Sequence, residues 1–347
     1  MVAPVLATVL AASACSTVGN DSGSESEEQQ SDRVVLVTHE SFVLPKKLQR
    51  QFEQESGYDL VVRASGDAGA LTNKLVLTKE DPLGDVAFGV DNTFASRALE
   101  EGVFAAYDAT LPEGADQYRL PGDDDHALTP VDNASVCVNI DDTWFADQDL
   151  EPPTGLDDLA DPAYRDLFVT SGAATSSPGM AFLLATIAEY GDEWPDYWER
   201  LMDNGAKLTD GWSDAYQVDF TQGGGQGKRP IVLSYDSSPA FTIADDGSST
   251  TSALLDTCFR QVEYAGVLDG AANTDGAEAL VDFLLTPEVQ AALPTSMYVF
   301  PVDASVELPA EWATFAEQPT EPLEVDPADI AEHRDEWLRD WSDVTSR

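Results

Sequence analysis

The chain has 347 residues, 43% of them hydrophobic. That exceeds what one ordinary core needs and predicts two compact lobes. Its 64 acidic residues against 18 basic ones give a net charge of −46, and the field of such a body repels nucleic acid and anionic lipid while drawing cations toward a cleft.

Val2 to Ala14 form an apolar or small run that stops at Cys15, with Ala12, Ser13 and Ala14 where a signal peptidase would cut. The run is too short to span a bilayer, so residues 1–15 read as a lipoprotein signal peptide with Cys15 as the lipidated N-terminus. No Lys or Arg precedes it, which places the expected start codon upstream of Met1. The Ser/Glu/Gln/Asp stretch 16–32 reads as a flexible acidic tether. It accounts for only five of the acids (Asp21, Glu25, Glu27, Glu28, Asp32), so the folded part itself is strongly acidic.

Beyond the tether, Arg33 to Thr38 is a β-branched run suited to a buried strand. Phe42 to Gly57 has helical spacing, with Leu44, Leu48 and Phe52 on one face and Gly57 as the stop. Tyr58 to Arg63 returns as a strand, and this βαβ order predicts a parallel right-handed unit. Residues 71–77 read as helix, 85–90 as strand and 93–101 as helix, continuing an α/β alternation with helices on both faces. Pro130 to Asp141 is a later strand. After Pro152-Pro153 come a strand at 167–171, helices at 178–190 and 194–205, and a strand at 231–235. Residues 259–267 read as extended, 276–285 and 287–293 as helical, and 327–341 as an amphipathic helix with Trp337 and Trp341 one turn apart. The glycine cluster 223–227 lacks the Lys-Ser/Thr of a phosphate cradle and reads as a flexible loop.

With Cys15 lipidated, Cys137 and Cys258 remain, either as a disulfide in an oxidising compartment or as two buried thiols. The three histidines, His39, His126 and His333, are widely separated and lack ligand spacing, so no metal or cofactor is expected. A Ser-His-Asp hydrolase using His39 would need an elbow of the G-x-S-x-G type, which is absent. Four segments follow strands or open a helix and combine small polar residues with aromatics: 38–42, 89–92, 175–179, and 210–216 with 234–239. In an open α/β sheet, loops beyond the carboxyl ends of the strands face the ligand crevice. The 175–179 segment also offers free N–H groups to an anion.

The segments THESF (38–42), GVDN (89–92), TSSPGMAFLL (175–184), DGWSDAY (210–216), VLSYDSSPAF (232–241) and PTSMYVFPV (294–302), with the Trp337/Trp341 tail, occur in the order found in a known family. From Val34 onward the chain resembles the thiamine-binding substrate-binding proteins of ABC importers, within the ferric/spermidine/thiamine-type group. The resemblance implies an α/β, two-lobed fold of the periplasmic-binding-protein type II. Each lobe would hold a mixed sheet flanked by helices, and two hinge crossings would lie near 133–139 and 259–265. Lobe one would hold 33–134 and 264–347 and lobe two 135–263, with Cys137 and Cys258 placed to bridge the hinge.

The resemblance further implies that His39, Glu40 and Ser41 border an aminopyrimidine ring, while Asp67, Asp91 and Asn92 line lobe one. Ser176, Ser177 and Gly179 would meet a hydroxyethyl or phosphate end. Trp212, Tyr216, Tyr235 and Ser238 would stack and hydrogen-bond from lobe two, joined by Phe241 and Tyr298. His39 stands where the family has a tyrosine, Phe241 and Tyr298 differ from its tyrosine and tryptophan contacts, and a tryptophan-bearing segment after Phe42 is missing. The implied activity is non-enzymatic capture of thiamine or its phosphates on the extracytoplasmic face of the membrane, with a permease and its ATPase as partners. A ferric-ion or polyamine receptor is the alternative within the fold, and an extracytoplasmic phosphoester hydrolase the alternative outside it. Adjacent tyrosines favour iron, but here Tyr235 is followed by Asp236.

Overall fold

The computed structural model describes residues 32–346, so the leader, Cys15 and the tether up to residue 31 lie outside the described residues. The chain opens as β1 (Arg33–Thr38), α1 (Lys46–Ser56), β2 (Asp59–Ala64), α2 (Ala68–Leu77), β3 (Val86–Asp91) and α3 (Ala95–Glu100). Next come β4 (Thr129–Asp141), α4 (Asp142–Gln148), α5 (Leu156–Leu159), β5 (Phe168–Ser171), α6 (Ser177–Tyr190), α7 (Trp194–Asp203), β6 (Lys207–Thr209) and β7 (Ile231–Tyr235). It closes with β8 (Thr251–Val267), α8 (Thr274–Leu284), α9 (Pro287–Ser296), β9 (Phe300–Pro301), α10 (Ala310–Phe315) and α11 (Pro327–Thr345).

The predicted βαβ opening is present, with β1 parallel to both β2 and β3. Helix α1 buries Leu48 and Phe52 and ends where Gly57 takes a φ of 80°, a left-handed cap that costs glycine little. It begins at Lys46 rather than Phe42, because a proline disfavours helical backbone in the residue before it and Pro45 itself is the N-cap. Phe42, left outside the helix, lays its ring 5.2 Å from that of Phe88 on β3.

All the strands belong to one mixed sheet in the order β2-β1-β3-β8-β4-β7-β5-β6, with β9 on β4. The two longest, β4 and β8, pair antiparallel from Thr129 opposite Ala265 to Asp141 opposite Thr251. They alone carry the sheet from the half that holds β1–β3 to the half that holds β5–β7. One core gathers around Leu36, Phe88 and Leu280, another around Val138, Phe182, Trp198 and Leu233. Both sides of β4 face packed structure, and all 13 of its residues are buried.

Strand β8 begins at Thr251, eight residues before the extended run visible in the sequence. Residues 254–258 contain Asp256 and Thr257 and show no apolar alternation, because they bulge out of the ladder: Val136 faces Phe259 while Val138 faces Leu254. Cys137 is joined to Cys258 across this bulge, which decides between the two readings of the cysteines. Thr257 reinforces it, its hydroxyl accepting from the Val138 N–H at 2.9 Å.

Helix α11 touches both halves. Trp341 sets its edge on Trp198 of α7, with ring centroids 5.6 Å apart, and the buried Arg334 guanidinium lies 4.7 Å over the ring of Phe94 at the start of α3.

Candidate ligand-binding cleft

Between the two halves lies a cavity of about 300 Å³. From the β1–β3 half its lining draws His39, Glu40 and Ser41, on the loop after β1, and Asp67, before α2. Trp212, Ser213 and Gln217 come from the β6–β7 connection and Tyr235 from the end of β7. The floor is Gln261 and Glu263 on β8, and the α9–β9 connection supplies Met297 to Val299. A second cavity of about 270 Å³ shares Trp212, Gln217, Tyr235 and Tyr298 with the first and adds Tyr216, Ser238 and Phe241.

The loops reach this position because β1 and β7 end there, the geometry expected at the carboxyl ends of sheet strands. After β6 the chain makes a wide π-helical turn, Asp214–Asp219, that swings Tyr216 and Gln217 toward the cavities. The glycine cluster packs against this turn at two points, Gly223 and Gly225. Gly223 packs so tightly on the Tyr216 carbonyl that a Cβ there would collide with it.

Trp212 stacks on Tyr216, with ring centroids 5.1 Å apart and planes 15° from parallel, and tilts toward Tyr235 at 6.1 Å. Its indole N–H donates to Ser234 Oγ at 3.0 Å, and Ser234 in turn bonds Ser238. Burial pushes the Tyr216 phenol up to about 12 and the Tyr235 phenol well above its usual value, so both are neutral hydrogen-bonding rings. Tyr298 holds a φ of 64°, a left-handed conformation unusual for a bulky residue. Its carbonyl accepts from Ser237 at 2.7 Å and its ring meets Phe241 at 4.1 Å, which together fix the aromatic lip.

Across the cleft the lining is acidic. Asp67 caps α2 through Ala68 and with its other oxygen accepts from the Trp212 N–H at 3.0 Å, tying the halves together. Ser41 meets Ser213 at 3.3 Å, and the Ala70 N–H donates to the Thr175 carbonyl. Burial, then Asp67 and Asp214, raise the Glu40 carboxyl above its ordinary range. His39 Nε2 stands 3.4 Å from Glu263 Oε1, both side chains buried. Only glycine fits beneath His39, since a Cβ on Gly89 would strike its ring. Among the described residues the lining has three carboxylates and no lysine or arginine.

Eight of the anticipated residues therefore line the first cavity: His39, Glu40, Ser41, Asp67, Ser177, Trp212, Tyr235 and Tyr298. Tyr216, Ser238 and Phe241 line the second. Four stand outside both linings. Asp91 is buried and accepts from Thr93 and Phe94 at the entry to α3, and Asn92 clamps β3 to β8 through Arg260 and Val262. Ser176 is the buried N-cap of α6, and Gly179 lets that helix press against the Gly172 carbonyl. Conversely, Val43, Ser213, Gln217, Gln261, Glu263 and Met297 line the cavity without having been singled out. Ser213 and Gln217 sit in or beside the DGWSDAY motif. Gln261 and Glu263 alternate on one face of β8, a period-two signal that only the known sheet makes readable.

Two lobes on a continuous mixed sheet, joined by paired long strands and closed over an aromatic, acidic cleft, define the type II periplasmic-binding-protein class. The model of the bacterial extracellular solute-binding proteins matches residues 81–317, and the chain belongs to that family. It is similar to the thiamine-binding periplasmic protein of Brucella melitensis biotype 1, with 30% identity over 92% of this chain and 94% of that one. The thiamine-binding periplasmic protein of Escherichia coli K12 is 28% identical over 86% of this chain and 88% of its own length. Among solved structures, a periplasmic thiamin binding protein superposes with a TM-score of 0.80 at 28% identity, covering 91% of this chain and 96% of that one. A ferric binding protein from Campylobacter jejuni, 16% identical with a TM-score of 0.69 over 90% of this chain and 99% of its own, shares the fold. Among the described residues no helix is long and apolar enough to cross a membrane.

Proposed function

We propose that this chain is a receptor that captures thiamine outside the cytoplasmic membrane and hands it to an ABC permease driven by a cytoplasmic ATPase, without making or breaking a bond. The carrying observation is the composition of one cavity: the flat faces of Trp212 and Tyr235 on one side, Glu40 and Asp67 on the other and Glu263 on the floor, with no lysine or arginine in its described lining. Thiamine is two flat rings with a fixed positive charge, and aromatic faces with carboxylates suit such a guest. The names of the relatives support the same ligand.

In this reading lobe one is 33–134 with 264–347 and lobe two 135–263. The guest bridges them, and the shut form docks on the permease. The lipid on Cys15 and the tether hold the receptor at the membrane surface. A second reading, capture of thiamine phosphates, is favoured by Ser177 in the first turn of α6, where a helix N-terminus faces the cavity. Titration calorimetry with thiamine, its mono- and diphosphate, a diamine and ferric citrate separates these readings. Saturable one-to-one heat from thiamine, with the ligand recovered unchanged, is the expected outcome. Heat from ferric citrate alone, or conversion of a phosphate ester, would overturn the proposal.

A further inference from the structure

The acids in the cleft are not equivalent. Glu40 and Asp67 lie on loops at its rim, whereas Glu263 rises from β8 and has Asp132 of β4 directly opposite it in the antiparallel register. Asp132 is wholly buried, with neither carboxyl oxygen holding a hydrogen-bond partner, Glu263 is 6% exposed, and the register sets the two side chains beside each other on one face of the sheet. Two buried carboxyls set side by side do not both ionise, because their charges repel and neither is solvated. The titratable groups that face this pair are Asp91 on β3, His39 after β1 and Tyr235 on β7, while β9, which pairs with β4 at Asp132, presents only Pro301 there. Asp91 adds to the repulsion, and His39 opposes it. Burial pushes Asp132 up to about 8 and holds Glu263 well above the usual carboxylate range.

We propose that Glu263 is the charge-selecting residue of the cleft and that it shares a proton with Asp132, which departs to solvent when a cation binds. The idea rests on the cation reading of the site. With the proton in place the pair carries at most one negative charge, which its buried position tolerates. A guest with a fixed positive charge over Glu263 supplies the missing counter-charge, the O–H bond breaks, and about one proton leaves per guest. A neutral or anionic analogue of the same shape offers no such compensation and is refused. Binding tightens as pH rises toward 8, by up to about tenfold per pH unit, the slope of one linked proton.

The test is calorimetry of the whole protein with thiamine at pH 7, in phosphate and in Tris, whose ionisation enthalpies differ. A buffer-dependent enthalpy equal to release of about one proton is expected. Asp132→Asn should still bind, with proton release reduced, because Glu263 then lacks the neighbouring carboxyl whose repulsion helps hold a proton on it. Glu263→Gln should lose at least tenfold in affinity and all pH dependence. Thiamine binding with the same heat in both buffers would overturn the inference and leave the thiamine reading standing. Undiminished release from Asp132→Asn would also overturn it, since Asp132 would then have no part in the proton that leaves. If thiamine fails to bind, that reading falls, and the infrared spectrum of the free protein decides the inference alone. A protonated-carboxyl band at neutral pH that disappears in Asp132→Asn supports it, and absence of that band in the unaltered protein refutes it.

Discussion

Trp212 shows how one side chain serves two purposes. Its ring forms a wall of the cleft, while its backbone and indole N–H groups anchor Asp67 and Ser234. Trp212→Ala should weaken thiamine binding by about 1–3 kcal/mol, the cost of truncating an aromatic anchor. Trp212→Phe, which keeps a face but drops the Ser234 bond, should cost less, and fluorescence or calorimetric titration of both variants checks the order. Asp236, just past β7, is buried and pushed up to about 7. Its folded pKa lies above its unfolded one, so its protonated form stabilises the fold below about pH 4, and that stability is lost as pH rises through 7. The melting temperature of ligand-free protein should therefore fall between pH 5 and 8, and fall less in Asp236→Asn.

At the scale of elements, the hinge strands carry the mechanical argument. The Cys137–Cys258 bond closes a sequence separation of 121 residues and ties β4 to β8 at the bulge. A loop of that length corresponds to about 4–5 kcal/mol of lost chain entropy in the unfolded state. The paired Cys137→Ala and Cys258→Ala variant should lose stability of that order in denaturant unfolding. On α2, Gly69 meets both the Phe94 ring and the Thr175 backbone, with an added Cβ 2.7 and 2.8 Å from them. Since Thr175 sits in the opposite half, Gly69→Val should hold the halves apart and reduce thiamine affinity at least tenfold, while circular dichroism stays that of the folded protein.

For the whole molecule, the relevant quantity is the net charge of −46 around a cleft lined by carboxylates. Such a field raises the encounter rate of a cation and is screened within about 8 Å at physiological ionic strength. Stopped-flow association with thiamine should slow as salt rises from 10 to 500 mM, with the dissociation rate changing far less. An association rate indifferent to salt would show that the acidity serves solubility rather than steering.

The sequence by itself carried the α/β alternation, the buried strands and the aromatic loops, because each rests on local spacing or on a short motif. The start of β8 was hidden by a bulge that only its pairing with β4 explains. That Asp91 bonds the entry to α3 and Asn92 clamps β3 to β8, with neither lining the two cavities, depended on the assembled sheet. Gln261 and Glu263 alternate on one face of β8, but which face of a hinge strand buried on both sides lines the cleft is set only by the assembled sheet. Pairing of Cys137 with Cys258 rather than burial of two thiols, and the meeting of Glu263 with Asp132, were decided by tertiary structure alone: contacts between residues more than a hundred positions apart are set by sheet register, which no local pattern encodes.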